Sequence, residues 1–231
     1  MTMSLLSIRN VDYSYQDGDS RRFILQDISC DFERGKFYTI LGESGSGKTT
    51  FLSLLSALDK PQAGEIAYEG QNVTKMGLEK YRRNHIGIIF QAYNLIPFMT
   101  AVENVRVAMS ITDNKIPGNE EEVALNLLDY IGITPDKAKR TVNQLSGGEQ
   151  QRVAIARALA TNVDLILADE PTGNLNEEME AEIVDILRKL AHDHNKCVIV
   201  VTHSTEIAKQ SDFTLKLKKG RFADFDRQET A

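Results

Sequence analysis

The chain has 231 residues, 42% of them hydrophobic and 26% charged, with a formal net charge of −6. That length accommodates one large domain with a substantial core, and the balance is that of a folded globular protein. An acidic chain makes a poor general coat for nucleic acid, so no nucleic-acid partner is expected.

The chain opens MTMSLLSIRN, which reaches Arg9 without a signal-peptide pattern. No apolar run approaches the roughly 18 residues of a membrane-spanning helix, so a cytosolic location is expected, with any membrane role through a partner. LLSIRNVDYSY alternates and is rich in aromatic and branched residues, which predicts a strand. RRFILQDISCDFERGKFYTILG continues in that style, with turn residues at Glu33, Arg34 and Gly35. FLSLLSALD has helical spacing, and AGEIAYEGQNV predicts a hairpin between glycines. HIGIIFQ, VDLILADE and KCVIVVTH are short continuous apolar runs, each ending in a polar residue. Strands buried on both faces of a parallel sheet read this way, with chemistry at their C-terminal ends. Residues 92–160 are helical in character, broken at Pro97, Pro117 and Pro135. EEMEAEIVDILRKLAHDH carries Met179, Ile183, Ile186, Leu187 and Leu190 on one helical face. His192 and His194 read as a solvated helix end, and KLKKGR as an exposed strand and turn. Cys30 and Cys197 match no metal or redox spacing and read as buried thiols. The whole is an α/β core with a helical insertion.

Residues 42–49 read GESGSGKT, a full G-x-x-x-x-G-K-[ST] phosphate loop between an apolar strand and a helix. Gly42, Gly45 and Gly47 let backbone amides converge on phosphates, with Glu43, Ser44, Ser46 and Thr50 completing the cradle and helix start. Lys48 supplies a charge to the outer phosphates and Thr49 a hydroxyl to Mg²⁺. This predicts a nucleoside triphosphate site. Three strand ends would complete it. Asp169 suits a Mg²⁺ ligand, Glu170 suits activation of water, Gln91 suits metal or water unless it is a plain loop residue, and His203 suits the γ-phosphate.

Residues 145–152 read LSGGEQQR, two glycines at a helix start with no catalytic acid, base or nucleophile nearby. Set between the phosphate loop and LILADE, with a strand-end His beyond, this segment resembles the signature of ABC transporter nucleotide-binding domains. The likeness runs from Tyr15 to about Gly220. It implies a P-loop NTPase core with a mainly parallel sheet, an N-terminal antiparallel β subdomain and an inserted helical subdomain. One domain would span residues 4–222, with core and β subdomain in 1–91 and 161–222, the helical subdomain in 92–160, and a tail in 223–231. In that family two domains pack head to tail. Ser146, Gly147, Gly148 and Glu149 would therefore meet the ATP held by the partner.

The resemblance also implies that Tyr15, or its neighbour Tyr13, stacks on adenine. Gln91 would link a metal site to the membrane partner, Asp169 would bind Mg²⁺, Glu170 would be the general base and His203 the γ-phosphate switch. AYNLIPFMTAVENV would face an integral membrane permease or serve as helical-subdomain core. The implied partners are that permease and a second ATPase subunit, expected to be another copy of this chain. ADEPTGNL with IIFQAYNLIPFMTAVENV resembles the branch that serves macrolide export, lipoprotein release and cell division. Where the family usually ends the loop after Glu170 in Asp, this chain has Asn176, which keeps an acceptor oxygen but loses the charge. Two other readings stay open: a soluble ABC ATPase outside transport, and a regulatory module that dimerises on ATP. Against the first, this chain lacks the long insertion that repair-type members carry between the phosphate loop and the signature, here Thr49 to Ser146.

Overall fold

A computed structural model describes residues 4–18 and 20–227, without the side chains of residue 17 and residues 224–227. Strands β1 (Leu6–Asp17) and β2 (Ser20–Phe32) pair antiparallel, and β3 (Lys36–Leu41) leads through the phosphate loop into helix α1 (Lys48–Leu55). β4 (Ala63–Tyr68) and β5 (Gln71–Asn72) form the expected hairpin around Glu69 and Gly70, both at positive φ, as a two-residue loop requires. They complete a four-stranded sheet in the order β2-β1-β4-β5. The next stretch, where no periodic signal stands out, forms α2 (Val73–Met76) and α3 (Leu78–His85), the first capped by Asn72.

β6 (Ile86–Ile89) then enters the second sheet. The helical insertion follows as α4 (Ala101–Ile111), α5 (Glu120–Tyr130), α6 (Pro135–Ala138) and α7 (Gly147–Leu159). β7 (Leu165–Asp169), α8 (Glu177–His192), β8 (Cys197–Thr202), α9 (Thr205–Gln210), β9 (Phe213–Lys218) and β10 (Arg221–Arg227) complete the chain. The second sheet has the order β10-β9-β3-β8-β7-β6, all neighbours parallel except β10 with β9. β10 runs across the boundary expected at residue 222, and residues 228–231 of the expected tail lie outside the described residues.

Alternation along the central strands sends side chains to two cores. Ile166, Ala168, Val198 and Val200 pack with α4, α5, α7 and α8 on one face, while Leu165, Leu167, Ile199 and Val201 pack with α1 and the antiparallel sheet on the other. Both faces are dry, which is why these strands read as unbroken apolar runs. On α8, Ile183, Leu187 and Leu190 are buried as expected, with Ile186 half-buried. KLKKGR forms the expected strand end and turn with Lys218, Lys219 and Arg221 exposed, but Leu217 is buried and Lys216 half-buried, in β9 beside β3. His192 pairs with Asp212 at 3.0 Å rather than simply meeting water. Cys197 is buried, Cys30 half-buried, and both are free thiols.

Helix α7 lies so close to β6 that a methyl on Gly87 would sit 2.6 Å from Ala158 O and 3.0 Å from Ile166 Cδ1. Backbone cannot yield as a flexible side chain does. Gly87→Ala is expected to lower stability by about 1–3 kcal/mol, read from the urea midpoint; an unchanged midpoint would contradict this docking of the helical insertion.

Candidate active site

The phosphate loop is shaped by two glycines at positive φ, Gly45 at 77° and Gly47 at 107°. A side chain at Gly47 would also press on Ile24 O at 3.0 Å and Leu25 Cδ2 at 3.1 Å. Gly47 is the N-cap of α1, and no side chain caps that helix. Its first-turn amides therefore face the loop, where an anion can accept from them. Lys48 is buried, and its Nζ donates to Gly42 O at 2.7 Å and Glu43 O at 3.1 Å, 3.9 Å from Glu170 Oε1.

Parallel register supplies the facing wall. Leu41 of β3 pairs with Thr202 of β8, and Val201 pairs with Asp169 of β7, so three strands end side by side. The three strands then lead into Gly42 of the phosphate loop, His203 and Glu170. Glu170 has φ 43° and donates its amide to Val201 O at 2.9 Å. Its Oε2 accepts from Thr202 Oγ1 at 2.7 Å, and its Oε1 lies 2.9 Å from His203 Nδ1. Burial, then the charge of Glu170, push the Asp169 carboxyl above the usual carboxylate range, partly offset by Lys48.

A cavity of about 810 Å³ collects Tyr15, Glu43, Ser44, Gly45, Gly47, Lys48, Thr49, Thr50, Gln91, Glu170 and His203, eleven of the residues singled out in the sequence. Arg22 and Ile24 of β2 line it too, with no motif to mark them; Arg22 is the cross-strand partner of Tyr15. Gly42 and Ser46 line a neighbouring cavity of about 690 Å³ behind the loop. Asp169 lines neither, at the strand end next to Glu170. The two tyrosines separate clearly. Tyr13 is buried with its hydroxyl on Asp59, whereas Tyr15 is 52% exposed at the cavity rim. A register shift between Tyr13 and Ser14 re-aims the strand between them.

The signature turn stands apart. Ser146, Gly148 and Glu149 line a cavity of about 410 Å³ with Lys137, Arg152 and Met179, sharing no residue with the phosphate-loop cavity. Ser146 caps α7 in a reciprocal box: its N donates to Glu149 Oε2 at 2.8 Å and its Oγ accepts from Glu149 N at 3.3 Å. The amides of Gly147 and Gly148 take no part in that box. Gly147 is exposed, while Gly148 is buried against Met179 of α8.

Two loops join these parts. Asn174 donates to Gln91 O at 3.1 Å, and Arg157 of α7 donates to Tyr93 O at 2.8 Å and to Asn94 O. Tyr93 and Asn94 both have positive φ, so the turn after Gln91 is strained and pinned by the signature helix. Asn176 caps α8, its Oδ1 accepting from Met179 N at 3.0 Å, so the acceptor oxygen is in use. In the following segment Phe98 is 79% exposed, whereas Ala101 and Val105 are core.

A phosphate loop beside a strand-end acid pair on a parallel sheet defines a nucleotide-hydrolysing protein of the P-loop class. Residues 25–173 match the family model described as ABC transporter. An uncharacterized ABC transporter ATP-binding protein of Bacillus subtilis, YclH, is 51% identical over 220 residues, 95% of this chain and 96% of that one. The macrolide export ATP-binding/permease protein MacB of Bdellovibrio bacteriovorus is 41% identical over 94% of this chain, which spans 33% of that longer protein. Among solved structures, the dimeric bacterial ABC transporter cassette MJ0796 aligns with a TM-score of 0.89 at 36% identity, covering 98% of this chain and all of that one. The corresponding sequence comes from Methanocaldococcus jannaschii. The chain belongs to the ABC transporter family, as an ATP-binding subunit.

The Asp169 carboxylate is held charged against burial and a like charge, so its ionised form costs the fold free energy that the neutral form does not. Asp169→Asn is therefore expected to raise the melting temperature at pH about 7, with the gain vanishing below about pH 3, where the wild-type acid is protonated in both states. Calorimetry at the two pH values checks this, and a lower melting temperature at neutral pH would contradict it.

Proposed function

We propose that this chain binds ATP with Mg²⁺ in the 810 Å³ cavity and hydrolyses it only as a pair of copies, each closing the other's site to drive a membrane permease. One observation carries the reading: the signature turn lines a cavity separate from the phosphate loop of its own chain. Its two unboxed glycine amides can serve a nucleotide held elsewhere. MJ0796 supports this, since it forms a dimeric cassette and has been solved as a post-hydrolysis dimer with ADP and Pi.

Within one copy, Tyr15 offers its ring to the adenine and the loop amides with Lys48 take the phosphates. The donor set also suits a magnesium ion. No cluster of three or more His, Cys, Asp or Glu that could cage a metal occurs among the described residues. Thr49, Asp169 and Gln91 would instead hold the ion together with the bound phosphates. Bound there, Mg²⁺ would offset charge on the phosphates. Glu170 takes the proton of the attacking water, and His203 leaves it to contact the γ-phosphate. Across the pair, Ser146, Gly147, Gly148 and Glu149 present a helix N-terminus to that phosphate, so ATP favours the closed pair and its hydrolysis loosens it.

No helix among the described residues is long and apolar enough to cross a membrane. The partner is a permease docked on the segment bearing Phe98, placing the chain at the cytoplasmic face of the membrane. MacB joins ATP-binding and permease parts in one protein, which favours an exporter or mechanical transmitter. Nothing favours the soluble or regulatory alternatives.

Glu170→Gln is expected to slow turnover by about 10²–10⁴-fold and to accumulate an ATP-bound dimer on size-exclusion chromatography. Unslowed hydrolysis would remove Glu170 from its role. Ser146→Arg is expected to leave ATP affinity within a few fold in equilibrium titration while abolishing turnover; lost affinity would place the signature in the site of its own copy and contradict the in-trans reading.

A further inference from the structure

Thr202 is the last residue of β8 and is 1% exposed, a hydroxyl closing the otherwise apolar strand CVIVVT. A buried hydroxyl needs partners, and this one has two. Its single proton goes to Glu170 Oε2 at 2.7 Å, and its oxygen accepts from Ser204 N at 3.0 Å. The other Glu170 oxygen is held differently. Oε1 lies 2.9 Å from Nδ1 of His203, whose side chain is 70% exposed, with Lys48 Nζ at 3.9 Å. One carboxylate oxygen is thus tied to the rigid strand and the other to an exposed ring that can turn away.

We propose that Thr202 is a positioning residue for hydrolysis: it fixes Glu170 Oε2 to β8, so that Oε1 is the oxygen presented to the attacking water once His203 swings to the phosphate. The water O–H bond breaks as its oxygen bonds the terminal phosphorus, the P–O bond to ADP breaks, and the proton ends on Oε1. Glu170 sits at positive φ with its amide fixed to Val201, so backbone and one carboxylate oxygen are both anchored on β8. A base held at two points keeps its free oxygen in one place. The inference rests on the reading of Glu170 as the base.

The test uses the full chain at a concentration where it turns over. Thr202→Val keeps the shape and strand preference but removes the hydroxyl. It is expected to lower kcat about tenfold with KM for ATP within twofold, because misplacement of the base is felt in the transition state. Glu170 is also faced by His203, Lys48 and Asp169, all unaltered in this variant. Thr202→Ser should restore the rate. In a Glu170→Gln background, Thr202→Val should change the residual rate by less than about twofold.

Three results would overturn the proposal: an unchanged kcat in Thr202→Val, a raised KM with normal kcat, or the same tenfold loss in the Glu170→Gln background. The second would mean that the hydroxyl serves only the Ser204 turn and the placement of His203. If Thr202→Val does not fold, Thr202→Ala against Thr202→Ser gives the same comparison. Unslowed hydrolysis in Glu170→Gln alone would instead remove the base itself, a failure distinct from that of Thr202.

Discussion

The parallel register of β3, β8 and β7 is the constraint on which the site depends. Leu41, Thr202 and Asp169 end their strands at one level, so the residues that follow turn into one space. A slip of one residue in any strand would reverse its faces, sending Ile199 and Val201 into the wrong core and His203 away from Glu170. That slip is costly because two separate cores, one on each face of the sheet, read the alternation. Hydrophobic burial thus sets where Lys48, Glu170 and His203 meet. The polar contacts refine an arrangement that packing has already fixed.

The second requirement is separation. The helical insertion carries the signature turn on α7 and is docked on β6 by a contact that admits no side chain at Gly87. The capping box satisfies the Ser146 and Glu149 amides within the chain and leaves those of Gly147 and Gly148 out of the exchange. A turn built this way is complete as a helix start and incomplete as a phosphate site. Gln91 lies where the two halves meet: it lines the phosphate-loop cavity, and the turn that follows it is pinned to α7 by Arg157.

Much of this was legible in the sequence because the signals were local. The phosphate loop, the acid pair and the strand-end histidine each sit at the end of an unbroken apolar run, and such runs mark strands buried on both faces. What stayed hidden depends on register or on distant packing. Tyr13 and Tyr15 share a parity that would place them on one face of a regular strand, and only a bulge separates them. Arg22 and Ile24 enter the cavity through cross-strand pairing that no motif encodes. Thr202 looks like an ordinary β-branched strand residue until Glu170 is placed beside it. KLKKGR carries enough lysine to read as surface, yet Leu217 packs behind the phosphate loop because β9 is an inner strand of the sheet.

If each nucleotide is closed by a second copy, activity must follow the population of pairs. The most direct measurement is the ATP hydrolysis rate per molecule across a dilution series, with the oligomeric state followed by sedimentation. A rate that falls steeply as the protein becomes monomeric is the predicted outcome. A constant rate per molecule down to strictly monomeric protein would show that one chain completes its own site, and would contradict the account.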